Sequence, residues 1–347
     1  MASASLLIRG SINIDEFFEL PHIVRSGETI SSTKYSRRAG GKGANEAVAA
    51  AKAGAKVDFS GAIGTDGLWL KDTLTGFGVG ISRLGTDEQV PTGRAIIQLS
   101  TSTADNSIVL YKGSNFALSS SPFPASTELS SAGYTHLLLQ NEIPLEETLL
   151  ALRTAKKAGL AAILNPSPML SKEELEAFPW AELDWLIINE GEGEDLAAAL
   201  SPFPAGAEAK SSAEDLLKQL RQTVLGGLTG IIMTRGADGV CASLKGNAEV
   251  VVVGAGKVEG KVVDTTGAGD CFTGYFATLL TVLSSSLSSS TLSFSKLSQI
   301  LSIACQAAAM CCEKNGAMES VPGLAEVKQR MGSEWLEGEE WEALLKQ

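Results

Sequence analysis

The chain has 347 residues, of which 44% are hydrophobic, and it carries 28 Lys and Arg against 40 Asp and Glu. That length and apolar content suit one large α/β domain or two ordinary ones. The net charge of −12 argues against nucleic acid or an anionic membrane as a partner. There is no N-terminal apolar segment of the signal type and no apolar run long enough to span a bilayer, so a cytoplasmic location is expected, with the nucleus as an alternative. The five cysteines show no zinc spacing and read as reduced core thiols.

In chain order, apolar runs at 6–9, 56–60, 136–140, 161–164, 185–188 and 230–234 read as buried strands. Helical spacing at 144–158, 192–200 and 213–225 falls between them. Strands alternating with helices predict a mostly parallel sheet covered on both faces. The segments 12–36 and 92–111 differ: they alternate with period two, as in Arg94-Ala95-Ile96-Ile97-Gln98-Leu99, which suits a half-buried sheet. Two segments, 201–207 and the Ser-rich run 284–295, read as surface loops because such composition buries too little apolar area to hold one structure. After Gly332 an acidic tail with Trp335, Leu336 and Trp341 reads as a terminal amphipathic helix. His22 and His136 have no evident carboxylate partner in the sequence and read as structural.

Two glycine turns carry the chemistry. Gly40-Gly41-Lys42-Gly43-Ala44-Asn45 runs into an Ala-rich helical stretch, and Asp264-Thr265-Thr266-Gly267-Ala268-Gly269-Asp270 runs into another. A glycine turn that opens a helix presents unpaired N–H groups at the positive end of the helix dipole, which suits an anion. The second turn also sets a carboxylate, Asp270, in the first turn of its helix. An anion cradle with an adjacent base is what phosphoryl transfer to a hydroxyl requires. On this reading the amides of Gly267, Ala268 and Gly269 form the anion hole. Neither turn is a Walker P-loop, since Gly43 follows Lys42 where Ser or Thr is needed. Gly254-Ala255-Gly256-Lys257 is followed by Val258, and its third glycine falls at Gly260, one place beyond dinucleotide spacing. Asn13 and Asp15 follow the first strand at its carboxyl end, where open α/β sheets place ligands, and Glu142 follows the 136–140 strand in the same way.

These motifs, with Gly10-Ser11-Ile12-Asn13-Ile14-Asp15, Asn165-Pro166-Ser167-Pro168, Asn189-Glu190-Gly191-Glu192 and Gly316-Ala317-Met318-Glu319-Ser320, occur in one order over nearly the whole chain. In this the chain resembles the ribokinase family of carbohydrate kinases. The resemblance implies a three-layer α/β sandwich with a mostly parallel central sheet and a small β-sheet lid. The core would be 1–11, 37–91 and 113–347, the lid 12–36 and 92–112, with 284–295 as an insertion loop. It implies ATP-dependent phosphorylation of D-ribose at its primary hydroxyl, with Asp270 as general base. Asn13, Asp15, Gly41, Lys42 and Asn45 would bind the sugar, with Glu142 at its anomeric hydroxyl and Ile108 and Leu110 covering it from the lid. Asn189, Thr234, Gly236 and Gly269 would face ATP. Glu192 would help to hold hydrated Mg²⁺, and Asp264, Thr266, Asn315, Gly316 and Ser320 a potassium ion, although Met318 and Glu319 stand where small residues or proline are commoner. Apolar adenine contacts are expected around Val252 and from the helix after Lys296. An uncovered lid edge invites pairing, so a homodimer through the lid is expected. The competing readings are a fructokinase or nucleoside kinase of the same family, or a catalytically silent sugar-binding regulator. A silent protein has no need of Asp270 beside an intact anion turn.

Overall fold

A computed structural model describes residues 5–103, 105–201, 212–286 and 292–335. The first third of the chain forms β1 (Ser5–Arg9), β2 (Asn13–Leu20), β3 (Lys34–Gly40), α1 (Lys42–Lys52), β4 (Lys56–Gly64), α2 (Trp69–Gly76), β5 (Gly80–Asp87), β6 (Gly93–Ser100) and β7 (Asn106–Tyr111). The middle forms α3 (Ser126–Ser131), β8 (His136–Gln140), α4 (Leu145–Ala158), β9 (Ala161–Asn165), α5 (Lys172–Ala177), β10 (Trp185–Asn189), α6 (Glu190–Leu200) and α7 (Ala213–Leu220). Then come β11 (Gly230–Thr234), β12 (Val240–Leu244), β13 (Val250–Val253), α8 (Ala268–Ser286), α9 (Phe294–Cys311) and α10 (Leu324–Met331).

Nine strands make the large sheet in the order β13-β12-β11-β10-β9-β8-β1-β4-β5. It is parallel from β11 to β5, and β12 and β13 add an antiparallel edge. Its strands are apolar on both faces because helices cover both. On β1, Leu6 and Ile8 join the core under α1, α8 and α9, while Leu7 joins the core under α4 to α7. On β10, Trp185 and Ile187 take the first face and Leu186 and Ile188 the second. Each Leu or Ile so buried contributes about 1.5–3 kcal/mol. The helices carry their own end signals. In α4, Glu146 and Glu147 lie in the first turn and Lys156 and Lys157 in the last, each complementing the helix dipole.

β1 lies between β4 and β8, so the strand order reverses there. A crevice opens at such a switch point beyond the carboxyl ends of the strands. It brings the segment after β1 next to Glu142, which follows β8. A second, four-stranded sheet, β3-β2-β6-β7, brings Asp15 of β2 close to Glu142 and Asp270. Asp15 pairs with Arg38 and Ala95, and Ala95 pairs with Leu110, so these side chains share one face; Phe17, Ile97 and Ile108 form the next row on it.

Several boundaries differ from expectation. β3 runs on to Gly40, past residue 36, because its ladder with β2 continues as far as Asn13. The helix expected over 213–225 stops at Leu220, and Thr223 then caps a short 3₁₀ turn, Val224–Gly227. Within the expected 284–295 loop, Ser284–Ser286 complete α8, and Ser293 caps α9. Residues 202–211 and 287–291 lie outside the described residues. So does the tail from 336 onward, and Trp335 is buried in the core beside α10. β5, β12 and β13 were not foreseen. All five cysteines are free, with Cys241, Cys271, Cys305 and Cys311 buried, as expected of core thiols. No helix among the described residues is long and apolar enough to cross a membrane.

Candidate active site

Gly41 joins β3 to α1 with φ 91°, and a Cβ there would lie 2.8 Å from the Ile12 Cα. Only glycine supplies both the left-handed backbone and the close approach. The turn therefore seats the N-terminus of α1 directly on the segment that follows β1. Across this junction Glu142 Oε2 accepts hydrogen bonds from Ser11 Oγ at 2.5 Å and from the Lys42 N–H at 3.0 Å. No hydrogen bond engages its Oε1 among the described residues.

Asn13 is held from behind. Asn115 Nδ2 donates to Asn13 Oδ1 at 2.7 Å, and Asn115 Oδ1 accepts from the Ile12 N–H at 2.9 Å. Asn115 sits in a 3₁₀ turn between β7 and α3, and no motif announced it. The Asp15 carboxylate lies in the space that a side chain at Gly40 would need. Burial first, then the nearby carboxylates of Glu142, Asp270 and Glu319, push Asp15 up to about 7.

α1 and α8 pack side by side, and their N-termini meet at Asp270. Asn45 Nδ2 donates to Asp270 Oδ2 at 2.8 Å, and Lys42 Nζ stands 3.6 Å from Oδ1. Burial works against the Lys42 ammonium, but Asp270 and Glu142 outweigh it and hold its pKa above that of a free lysine. Gly267 has φ 77°. The first bond of α8 runs from the Cys271 N–H to the Gly267 carbonyl at 2.7 Å. The Ala268 N–H already donates to the Thr265 carbonyl at 3.2 Å. Among the described residues the Gly267 and Gly269 amides have no such partner, so they are the freer donors of the expected hole.

On the other side of this turn opens a cavity of about 620 Å³. Thr234 and Gly236 line it after β11, Ala268 and Gly269 form its inner end, and its walls are apolar. Those walls are Val258 and Val262 from the loop before α8, with Cys305, Ala308 and Ala309 from α9 and Cys312 just beyond it. α9, from which apolar adenine contacts are expected, thus lines this cavity. Val252 is not among the lining residues; it is half exposed on β13, and the loop beyond that strand takes its place. These wall residues carried no signature because small apolar side chains are common in any core.

Asn189 and Glu192 form a reciprocal capping box at the start of α6: Glu192 N–H donates to Asn189 Oδ1 at 2.9 Å, and Asn189 N–H donates to Glu192 Oε2 at 2.8 Å. Glu192 Oε1 stays outside the box, and the charge of Glu192 adds to those that favour the Lys42 ammonium. Among the described residues no cluster of three or more His, Cys, Asp or Glu side chains is arranged around one metal position. A hydrated Mg²⁺ carried by nucleotide phosphates needs few protein ligands, and one free carboxylate oxygen suits it.

Asp264 ties two loops together, accepting from the Thr266 N–H at 2.9 Å and from the Gly316 N–H at 3.2 Å. Burial raises its pKa, but the Thr266 hydroxyl, those two N–H bonds and the charge of Arg38 outweigh it and hold the carboxyl below its ordinary value. Ser320 is turned inward, 2.8 Å from Cys311 Sγ, with its hydroxyl donating to the Ala317 carbonyl at 3.4 Å. Met318 is fully buried, Glu319 is exposed, and Lys52 fixes the loop by donating to the carbonyls of Met318 and Val321 at 3.3 and 2.6 Å. His22 departs from expectation, since its Nε2 lies 2.9 Å from Glu28 Oε1 in a surface turn. His136 is buried, and burial pushes it down to about 4.

The model of the pfkB family of carbohydrate kinases matches residues 3–324. The chain belongs to that family. Among pfkB carbohydrate kinases, it is 34% identical over 326 residues to a ribokinase of Haemophilus influenzae, covering 92% of this chain and 95% of the relative. The crystal structure of a ribokinase from Cryptococcus neoformans in complex with ADP superposes with a TM-score of 0.81 at 45% identity, covering 94% of this chain and 100% of that one. A ribokinase of Arabidopsis thaliana complexed with ribose and ATP gives 0.78 at 27% identity, covering 95% and 99%. The pfkB kinase described here thus has the α/β sandwich with a small second sheet expected from its motifs.

Proposed function

We propose that the chain is an ATP-dependent sugar kinase that transfers the γ-phosphoryl group to the primary 5-hydroxyl of D-ribose, giving ribose 5-phosphate and ADP. The observation that carries this reading is the position of Asp270. It follows Gly269 at the inner end of the apolar cavity and is hydrogen-bonded to Asn45 on the crevice side. A base at that junction meets a hydroxyl from one side and a phosphoryl group from the other. Asp270 takes the hydroxyl proton as the bond to phosphorus forms. The amides of Gly267 and Gly269, with that of Ala268, hold the transferring oxygens, and Lys42 adds positive charge beside them. Thr234 and Gly236 face the nucleotide, and the apolar walls take its base. When bound, Mg²⁺ neutralises phosphate charge; Glu192 and Asn189 would orient its waters.

The sugar lies under the lid, with Asn13, Asp15, Gly41 and Asn45 on its ring hydroxyls and Glu142 Oε1 at the anomeric one. The names and the ribose and ATP ligands of the relatives support ribose as substrate. ADP release measured with ribose, fructose, 2-deoxyribose and adenosine tests it; fructose as the best acceptor would replace ribokinase activity with fructokinase activity. Asp15→Ala should raise the sugar KM by about tenfold or more, since a charge-assisted hydrogen bond contributes about 1.5–3 kcal/mol, and leave the ATP KM alone. An ionised carboxylate accepts from two hydroxyls at once. As Asp15 is pushed up to about 7, kcat/KM for the sugar should rise with pH through that value. Asp15→Asn should flatten the rise; a wild-type profile without it would remove Asp15 from the sugar site.

A potassium ion held by Asp264 with oxygens of Thr266, Asn315, Gly316 and Ser320 would fix the 315–320 loop against the anion turn and stabilise phosphate charge there. Potassium should therefore activate turnover and sodium much less; equal rates in the two salts would count against the site. Four consecutive large apolar residues on the edge strand β7, Ile108 to Tyr111, are 46–60% exposed. They support a homodimer through the lid, which sedimentation equilibrium checks against a monomer of 36.2 kDa.

A further inference from the structure

We propose that Glu46 is a neutral carboxylic acid paired with the Gln140 amide, and that this pair positions Glu142 relative to Asp270. Glu46 lies one turn beyond Lys42 on α1, and neither it nor Gln140, the last residue of β8, reaches solvent. Gln140 Nε2 donates to Glu46 Oε2. The remaining oxygens, Glu46 Oε1 and Gln140 Oε1, have no hydrogen-bond partner among the described residues. A carboxylate facing an amide in this way is one donor short, and a proton on Glu46 supplies it.

The surroundings favour that proton. The charged groups facing Glu46 are Asp270 from α8, Glu142 from the segment after β8, and Lys42 from its own helix. Lys42 is already committed to Asp270 at 3.6 Å. Burial first, then Asp270, push the Glu46 carboxyl well above the ordinary range, with Lys42 and Gln140 opposing. A fully buried, incompletely bonded carboxylate is strongly disfavoured in its ionised form. The fold makes room for the pair. A Cβ at Gly10 would collide with the Gln140 amide, and one at Gly43 would stand 2.9 Å from its oxygen.

α1 is thereby tied twice, once to β8 and once to the segment that follows it. Near the crevice the Lys42 N–H donates to Glu142, and one turn deeper Gln140 donates to Glu46. Asn45, the neighbour of Glu46, carries the hydrogen bond to Asp270. The deeper tie sets how far the anomeric carboxylate stands from the base, so Glu46 is a positioning residue. Glu142 and Asp270 act on a sugar only on the kinase reading, on which the catalytic part of this proposal rests.

The test compares Glu46→Gln, which keeps the shape and supplies the missing donor without a titrating proton, with Glu46→Ala. Glu46→Gln should keep kcat and the sugar KM within about twofold, with an unshifted acid limb of kcat against pH. Glu46→Ala should lower kcat by about 10–100-fold at little change in the ATP KM, since ~1 Å of misplacement costs on that order. A group with a raised folded-state pKa stabilises fully below its unfolded pKa and loses that contribution as pH rises through the folded one. The melting temperature of Glu46→Gln should therefore gain on wild type as pH rises above the ordinary carboxyl range, by about 2 °C per unit. A pH-independent difference, or a Gln variant as impaired as the Ala variant, would overturn the proposal. A wild type without sugar-dependent ADP release would sink the kinase reading instead, and the melting comparison would still decide whether the neutral pair exists.

Discussion

Asp270→Asn should fold and bind sugar but lose turnover by about 10²–10⁴-fold or more, the scale of general-base removal. The variant amide is nearly isosteric and its oxygen can still accept from Asn45 Nδ2, now at 2.8 Å, so the packing of α1 against α8 survives. What disappears is the acceptor for the hydroxyl proton at the moment the oxygen attacks, together with the partner of Lys42 at 3.6 Å. The sugar KM should move little, because Asn13, Asp15 and Glu142 are untouched. Steady-state ADP release with the sugar KM measured in parallel separates the two effects. A well-folded variant with wild-type kcat would show that another group accepts the proton.

Wild type should prefer ribose to adenosine by as much as ~10⁴–10⁵ in kcat/KM, the discrimination available to a site built to bond a hydroxyl that the competitor lacks. Glu142 is the source. Its Oε2 is consumed by Ser11 and the Lys42 N–H, which fixes the carboxylate and leaves Oε1 as the proposed acceptor for the anomeric hydroxyl. A nucleoside carries a base in place of that hydroxyl, so the carboxylate would be desolvated without a partner. The lid adds to the effect, since Ile108 and Leu110 share the face that bears Asp15 and cover a small sugar more readily than a purine. Glu142→Ala should lower kcat/KM for ribose and narrow the gap to adenosine, both measured at saturating Mg²⁺–ATP. A wild type that prefers adenosine would make this a nucleoside kinase, with Asp270 still its base.

The relation between these residues and the fold explains what was readable in advance. Asn13, Asp15, Glu142 and Asp270 follow strand ends or a glycine turn, and both features are local: a buried strand needs an apolar run, and a turn into a helix needs glycine where φ is positive. The chain order of strands and helices, the doubly covered sheet and the position of the candidate base were therefore legible. So were the lid strands, because a half-buried sheet imposes period two.

Other features depend on segments far apart in sequence, and only packing decides them. Asn115 steadies Asn13 from 102 residues away with no motif to mark it. The cavity wall uses Val258, Val262, Cys305, Ala308, Ala309 and Cys312, whose small apolar side chains look like any core until β13, α8 and α9 meet. The 213–225 helix was overextended because apolar spacing continues through the 3₁₀ turn, where the backbone tightens. Glu46 is the clearest case. In sequence it is one more polar residue on an Ala-rich helix, and a solvated face is its natural reading. Tertiary structure buries it against Gln140 beneath two glycines, because α1 must descend into the switch point beside β1. The sequence alone determined which chemical groups the crevice has; tertiary structure decided their partners, because burial removes water and pushes the carboxyls of Asp15 and Glu46 up, while the carboxylates packed around Lys42 outweigh burial and hold it charged.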